Sequence, residues 1–137
     1  MPPRAEGKPD AAEIESRLGH SFSDPGLLQS ALTHRSWARQ STAGLPDQAP
    51  PDQDRDNERL EFLGDAVLGM RVNERLLEAL PAASEGELTH LRAWIVSASN
   101  LAAAASRLGL GRDLRMSRAE ESIGGRCKTR LLANVFE

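Results

Sequence analysis

The 137-residue sequence is short of aromatic side chains, with three Phe, two Trp and no Tyr, together 4%. Leu and Ala must therefore fill the interior, which favours helices over a β-sandwich. An all-α fold is expected. Cysteine is just as scarce. The single Cys127 excludes an internal disulfide and a cysteine-built zinc site, and it suits a reducing compartment. Three scattered histidines argue against a histidine-rich metal centre. No apolar run approaches the roughly 18 residues that span a bilayer. The opening MPPRAEGKPDAAE lacks the apolar core of a secretion signal. No membrane partner is expected, and the cytoplasm is the expected location. What is present is enough for one domain: 39% apolar and 27% charged residues permit a packed core.

The net charge of −3 hides an uneven distribution. Between Thr42 and Asp65 stand Asp47, Asp52, Asp54, Asp56, Glu58, Glu61 and Asp65, against Arg55 and Arg59. Between Arg107 and Arg130 the bases Arg107, Arg112, Arg115, Arg118, Arg126, Lys128 and Arg130 outnumber Asp113, Glu120 and Glu121. An acidic centre beside a basic segment suits metal ions acting on a polyanion. Two solvated faces of unequal charge would give the same count.

Residues 1–11 read as a loose tail and 12–137 as the domain, with a flexible Pro- and Asp-rich loop at about 40–56. Glu13 to Leu18 forms a short helix ended by Gly19. Asp24-Pro25 opens another, which the pattern LLQSALTHRSWA carries onward with Leu27, Leu28, Ala31 and Leu32 on one face. A long helix is expected from about Asn57 to Ala79. The capping box Ser84–Glu87 opens a further stretch, which Ser97 and Asn100 can divide and Gly109 can end. SIGGR (Ser122 to Arg126) is a turn. A last helix begins at Thr129 and carries Leu131, Leu132, Val135 and Phe136. Two turns are marginal alone, so the chain reads as a fragment cut inside a core helix.

At about 100° per residue, Glu58, Glu61 and Asp65 fall within roughly 60° of one another on the long helix. Leu60, Leu63, Val67 and Met70 make the expected core stripe on the other side. Acids at i, i+3 and i+7 without interleaved lysines repel, and a divalent cation removes that penalty. An amphipathic helix with a wet acidic face has the same spacing. Phe62 leans toward the acids, where it can meet a partner surface or a neighbouring helix of the same chain. On the last helix, Asn134 and Glu137 project together. Glu85 is a further candidate acid, or simply a charge favoured by its helix N-terminus.

These residues carry a resemblance. NERLEFLGDAVLG (Asn57 to Gly69) closely resembles the signature of the ribonuclease III family, the double-stranded-RNA endonucleases. LGHSFSDPGLLQSALTHRSW (Leu18 to Trp37) resembles the family's opening helices, and Glu85 to Arg126 its middle. LLANVFE (Leu131 to Glu137) is similar to the start of its second acidic motif. The resemblance implies an all-helical endonuclease domain working as a homodimer on double-stranded RNA. Mg²⁺, with Mn²⁺ able to substitute, would serve hydrolysis to 5′-phosphate and 3′-hydroxyl ends in ribosomal-RNA precursor and other RNA processing. It implies Glu61, Asp65 and Glu137 as catalytic acids, and the same three with Asn134 as metal ligands. Glu58 and Glu85 match supporting acids, Phe62 matches a dimer contact, and His34, Arg35 and Ser36 match a motif given a structural role.

The sequence also departs from the family. Asn134 stands where many members have Asp, and Arg130 where a small residue is common. The 40–56 loop is long, the second acidic helix is incomplete, and the double-stranded-RNA-binding domain that usually follows is absent. The competing expectations are a non-catalytic, RNA-binding or ribosome-associated member of the fold, and a helical interaction protein whose acids are only solvated.

Overall fold

In a computed structural model, residues 10–42 and 56–137 are described; residues 1–9 of the proposed 1–11 tail and residues 43–55 of the proposed loop lie outside them. Asp10 accepts from the Ala12 amide and caps α1 (Ala11–Leu18), which Gly19 ends in the left-handed conformation, φ 63°. Asp24 does the same for α2 (Pro25–Ala31), with Pro25 in its first turn. Ile14, Leu28 and Leu32 bury together.

The continuous helix expected through LTHRSWA is broken. Thr33 forms an isolated parallel bridge with Arg115: Arg115 N donates to Leu32 O at 2.8 Å, and His34 N donates to Arg115 O at 2.8 Å. The chain then starts afresh as α3 (Arg35–Thr42), which extends into the stretch read as loop from residue 40. Long-range backbone pairing outweighed the local helical pattern. The same segment fixes the next element, since Thr33 O accepts from Asn57 N at 2.9 Å immediately before α4 (Glu58–Ala79).

The Ser84–Glu87 capping box opens α5 (Glu85–Ile95), as its spacing predicts. Ser97 precedes α6 (Ala98–Arg107), and Asn100 Nδ2 donates to Trp94 O at 2.7 Å across the break. Two short helices, α7 (Leu110–Asp113) and α8 (Arg118–Ser122), were not expected. A 3-10 turn at Gly125–Cys127 leads to α9 (Thr129–Phe136). No strand occurs among the described residues, so the fold is all-α.

Ala102, Ala105, Leu110 and Leu132 form the second core cluster, where α6, α7 and α9 meet; Leu18 and Val135 join it to the first. Small alanines on α6 let α9 lie close. The basic segment largely serves this frame. Arg126 donates to the carbonyls of Gly111, Arg112 and Leu114, Lys128 pairs with Glu120 at 2.6 Å, and Arg112 pairs with Glu13 at 2.6 Å.

The stripe expected to be the core face of α4 is corrected. Leu63 is 60% exposed, Met70 54%, and Val67 is also exposed. The inward residues are Gly69 and Leu76, with Leu60, Leu68 and Val72 half-buried. An apolar stripe states that a helix face prefers to leave water, and it is the same whichever surface covers it.

Candidate metal and active site

Two helices build the site. The N-terminal half of α4 presents Glu58, Glu61 and Asp65, and α9 brings Asn134 and Glu137 toward Glu61 and Asp65. The meeting depends on Gly64: a Cβ there would fall on the backbone carbonyl of Glu137. Sequence reasoning passed over Gly64. The available signal was a glycine in the middle of a helix, where it costs about 1 kcal/mol relative to Ala unless close packing requires it.

The electrostatics report the same convergence. Burial pushes the Glu61 carboxyl above its ordinary value, with Glu58 and Asp65 adding to the rise and Arg130 opposing it. Burial also raises Glu137, and the charges of Glu61 and Asp65 raise it further. Desolvation and like-charge repulsion both disfavour a carboxylate that has no cation beside it. Under the acids lies a cavity of about 270 Å³. Glu61, Asn134 and Glu137 stand on its wall, and Leu18, Leu60 and Phe136 are among its apolar lining.

The donor set is hard: three carboxylates and one amide carbonyl, with no thiol or imidazole. That chemistry fits Mg²⁺ or Mn²⁺ and not a thiolate-seeking metal. Among the described residues, no three His, Cys, Asp or Glu side chains already stand in a metal-holding arrangement.

The other candidates lie further out. Glu58 turns to Arg35, whose Nη1 donates to it at 3.2 Å. Glu85 accepts from Thr89 Oγ1 at 2.8 Å at the start of α5. It follows the far end of α4, where Ala79 is roughly 21 Å along the helix from Asp65, and it is not among the charges acting on Glu61 or Glu137. Phe62 is 84% exposed. His34 and Ser36 belong to the frame: their side chains lie 2.8 Å apart, and Ser36 Oγ accepts from Ser117 N at 3.0 Å.

Comparison with known proteins decides the family. Residues 24–137 match the family described as Ribonuclease-III-like. The chain belongs to the ribonuclease III family. Over 129 residues it is 46% identical to Ribonuclease 3 of Geobacter metallireducens, covering 93% of this chain and 49% of that one. It is 47% identical over 128 residues to Ribonuclease 3 of Thermobifida fusca, with 93% and 49% coverage. The chain thus spans about half the length of these curated relatives. The nuclease domain of ribonuclease III from Campylobacter jejuni superposes with TM-score 0.78 at 37% identity, covering 93% of this chain and 79% of that one. That structure is described as flexible in a region involved in dimer formation. The all-α fold is therefore the ribonuclease III nuclease-domain fold, and no described helix is long and apolar enough to cross a membrane.

Proposed function

We propose that this domain hydrolyses phosphodiester bonds in double-stranded RNA, with Glu61, Asp65 and Glu137 as the catalytic acids. The single observation that carries the reading is the convergence of acids from two separate helices, α4 and α9, above one cavity. Membership of a family whose named relatives are ribonucleases supports the reaction class.

Glu61, Asp65, Glu137 and the Asn134 carbonyl would hold Mg²⁺, or Mn²⁺ in its place. The bound ion would supply Lewis acidity, lowering the pKa of a water and offsetting charge on the phosphate. Glu61 and Glu137 fix the site from two elements at once, so its geometry is set by helix packing rather than by a loop. The cavity beneath them is lined largely by apolar side chains, among them Leu18, Leu60 and Phe136. Asp65 is exposed, open to an approaching backbone. Asn134 contributes an oxygen without adding to the repulsion. The expected products carry 5′-phosphate and 3′-hydroxyl ends, and duplex RNA is gripped by shape, phosphates and 2′-hydroxyls. Precursors of ribosomal RNA and other structured RNAs in the cytoplasm are the substrate class.

The partner is a second copy of the chain. Phe62, Leu63, Val67, Met70 and Leu77 leave an exposed apolar face along α4, the kind of surface that a partner covers. Paired domains would set two sites against the two strands. Glu58 acts as a supporting acid in this reading, whereas Glu85 stands beyond the far end of α4, too far to join the site of its own chain.

The test is cleavage of a long RNA duplex with Mg²⁺. Glu61→Ala and Glu137→Ala should each abolish it, and retained cleavage refutes the assigned roles. One alternative has its own observation, namely Asn134. A non-catalytic RNA-binding or ribosome-associated module would bind duplex without metal-dependent cutting.

A further inference from the structure

Acids alone repel RNA, so the cleft needs a cation of its own to receive a polyanion before a metal ion is bound. Most bases nearby are engaged elsewhere. Arg126, Lys128 and Arg112 are held by carbonyls and carboxylates of the frame, and Arg115 stacks over the Trp37 ring at 4.9 Å. Arg130 differs. It is exposed in the first turn of α9, and its guanidinium enters no ion pair among the described residues. On that helix Arg130, Asn134 and Glu137 lie at i, i+4 and i+7, within roughly 60° of one another. The three therefore share the face turned to α4. Arg130 stands about one turn, roughly 6 Å, from Asn134, and its charge reaches Glu61.

We propose that Arg130 is a phosphate-binding residue of this cleft, its guanidinium taking non-bridging oxygens of a backbone phosphate next to the one presented to Glu61, Asp65 and Glu137. The inference rests on the duplex-RNA reading above and adds to it a specific binding residue. A guanidinium suits the task because its planar fork donates to two phosphate oxygens at once. Its long stem lets the head track the RNA while its base stays fixed by α9.

Duplex-RNA binding by the 137-residue chain, measured in EDTA across a salt series, separates this contact from catalysis. Arg130→Ala should weaken binding about tenfold at low salt. It should also reduce the slope of log affinity against log salt by about one, the signature of one lost phosphate contact. Arg130→Lys should keep the slope and lose part of the affinity, because the charge stays and the fork goes. Arg71→Ala removes an exposed positive charge on α4 that pairs with Glu74 at 2.7 Å, and it should leave binding nearly unchanged. Equal affinity and slope for Arg130→Ala and the unaltered chain would overturn the inference and leave the duplex reading standing. Equal losses for Arg130→Ala and Arg71→Ala would overturn it too, since bulk charge would then suffice. Failure of the unaltered chain to bind duplex would overturn the functional reading and this inference with it.

Discussion

Gly64→Ala separates helix stability from site geometry. By intrinsic propensity the change favours α4 by about 1 kcal/mol. At this position the new Cβ falls on the Glu137 backbone carbonyl. The end of α9 must then retreat on the order of 1 Å, and overpacking of this kind costs about 1–3 kcal/mol. The two effects offset, leaving a net loss between about zero and 2 kcal/mol. For a chain of this length the unfolding midpoint should drop by no more than about 8 °C. Geometry has no such offset, because the retreat carries Glu137 away from Glu61 and Asp65. A misplacement of about 1 Å costs on the order of 100-fold in rate. Metal-dependent duplex cleavage should fall by about that factor while the protein stays folded, and Mn²⁺ binding by calorimetry should weaken in parallel. Gly69→Ala is the control. A Cβ there meets only the tip of Arg92, Nη2 at 2.9 Å, which can swing aside. A Gly64→Ala protein that cuts duplex and binds Mn²⁺ like the unaltered chain would refute the reasoning.

Three further predictions concern other parts of the molecule. Phe62→Ala should shift the chain toward monomer, read by light scattering at low concentration; an unchanged mass would count against the dimer face. Burial lowers the His34 pKa from its ordinary 6.5, against the opposing pull of Glu120, Glu58 and Asp56 and with help from Arg35. A histidine depressed in the folded state binds fewer protons there than when unfolded. Its contribution is complete above about pH 6.5 and declines as pH falls through the folded value. Urea midpoints should therefore drop below that pH, and His34→Gln should flatten the profile; an equally steep profile in the variant would assign the effect elsewhere. Ser84→Ala removes the hydroxyl to which Glu87 N donates at 3.4 Å, and it should cost about 1 kcal/mol by chemical denaturation.

Much of this protein is written locally. Caps at Asp24 and Ser84, the turn at Gly19 and the break at Ser97 are short-range chemistry and could be read directly, whereas Asp10, which caps α1, reads in the sequence as part of the tail. The acidic face of α4 and the pairing of Asn134 with Glu137 follow from helical periodicity, which is a property of the chain alone. The family was legible for the same reason: its signature is a run of adjacent residues. The short α7 and α8 were not legible, because four or five residues hold too little pattern to register.

Tertiary structure decided what touches what. The pairing of Thr33 with Arg115 broke a helix that its own sequence favoured, because the partner lies far along the chain. Leu63, Val67 and Met70 have the spacing of a core, yet they face outward, since hydrophobicity fixes a preference for burial and not the surface that provides it. Arg112, Arg126 and Lys128 of the basic segment are taken by carboxylates and carbonyls, whereas the charge of Arg130 acts on Glu61. The distance between Glu61 and Glu137 was also beyond the sequence: it is set by how closely two helices approach, and a missing side chain at Gly64 makes that approach possible.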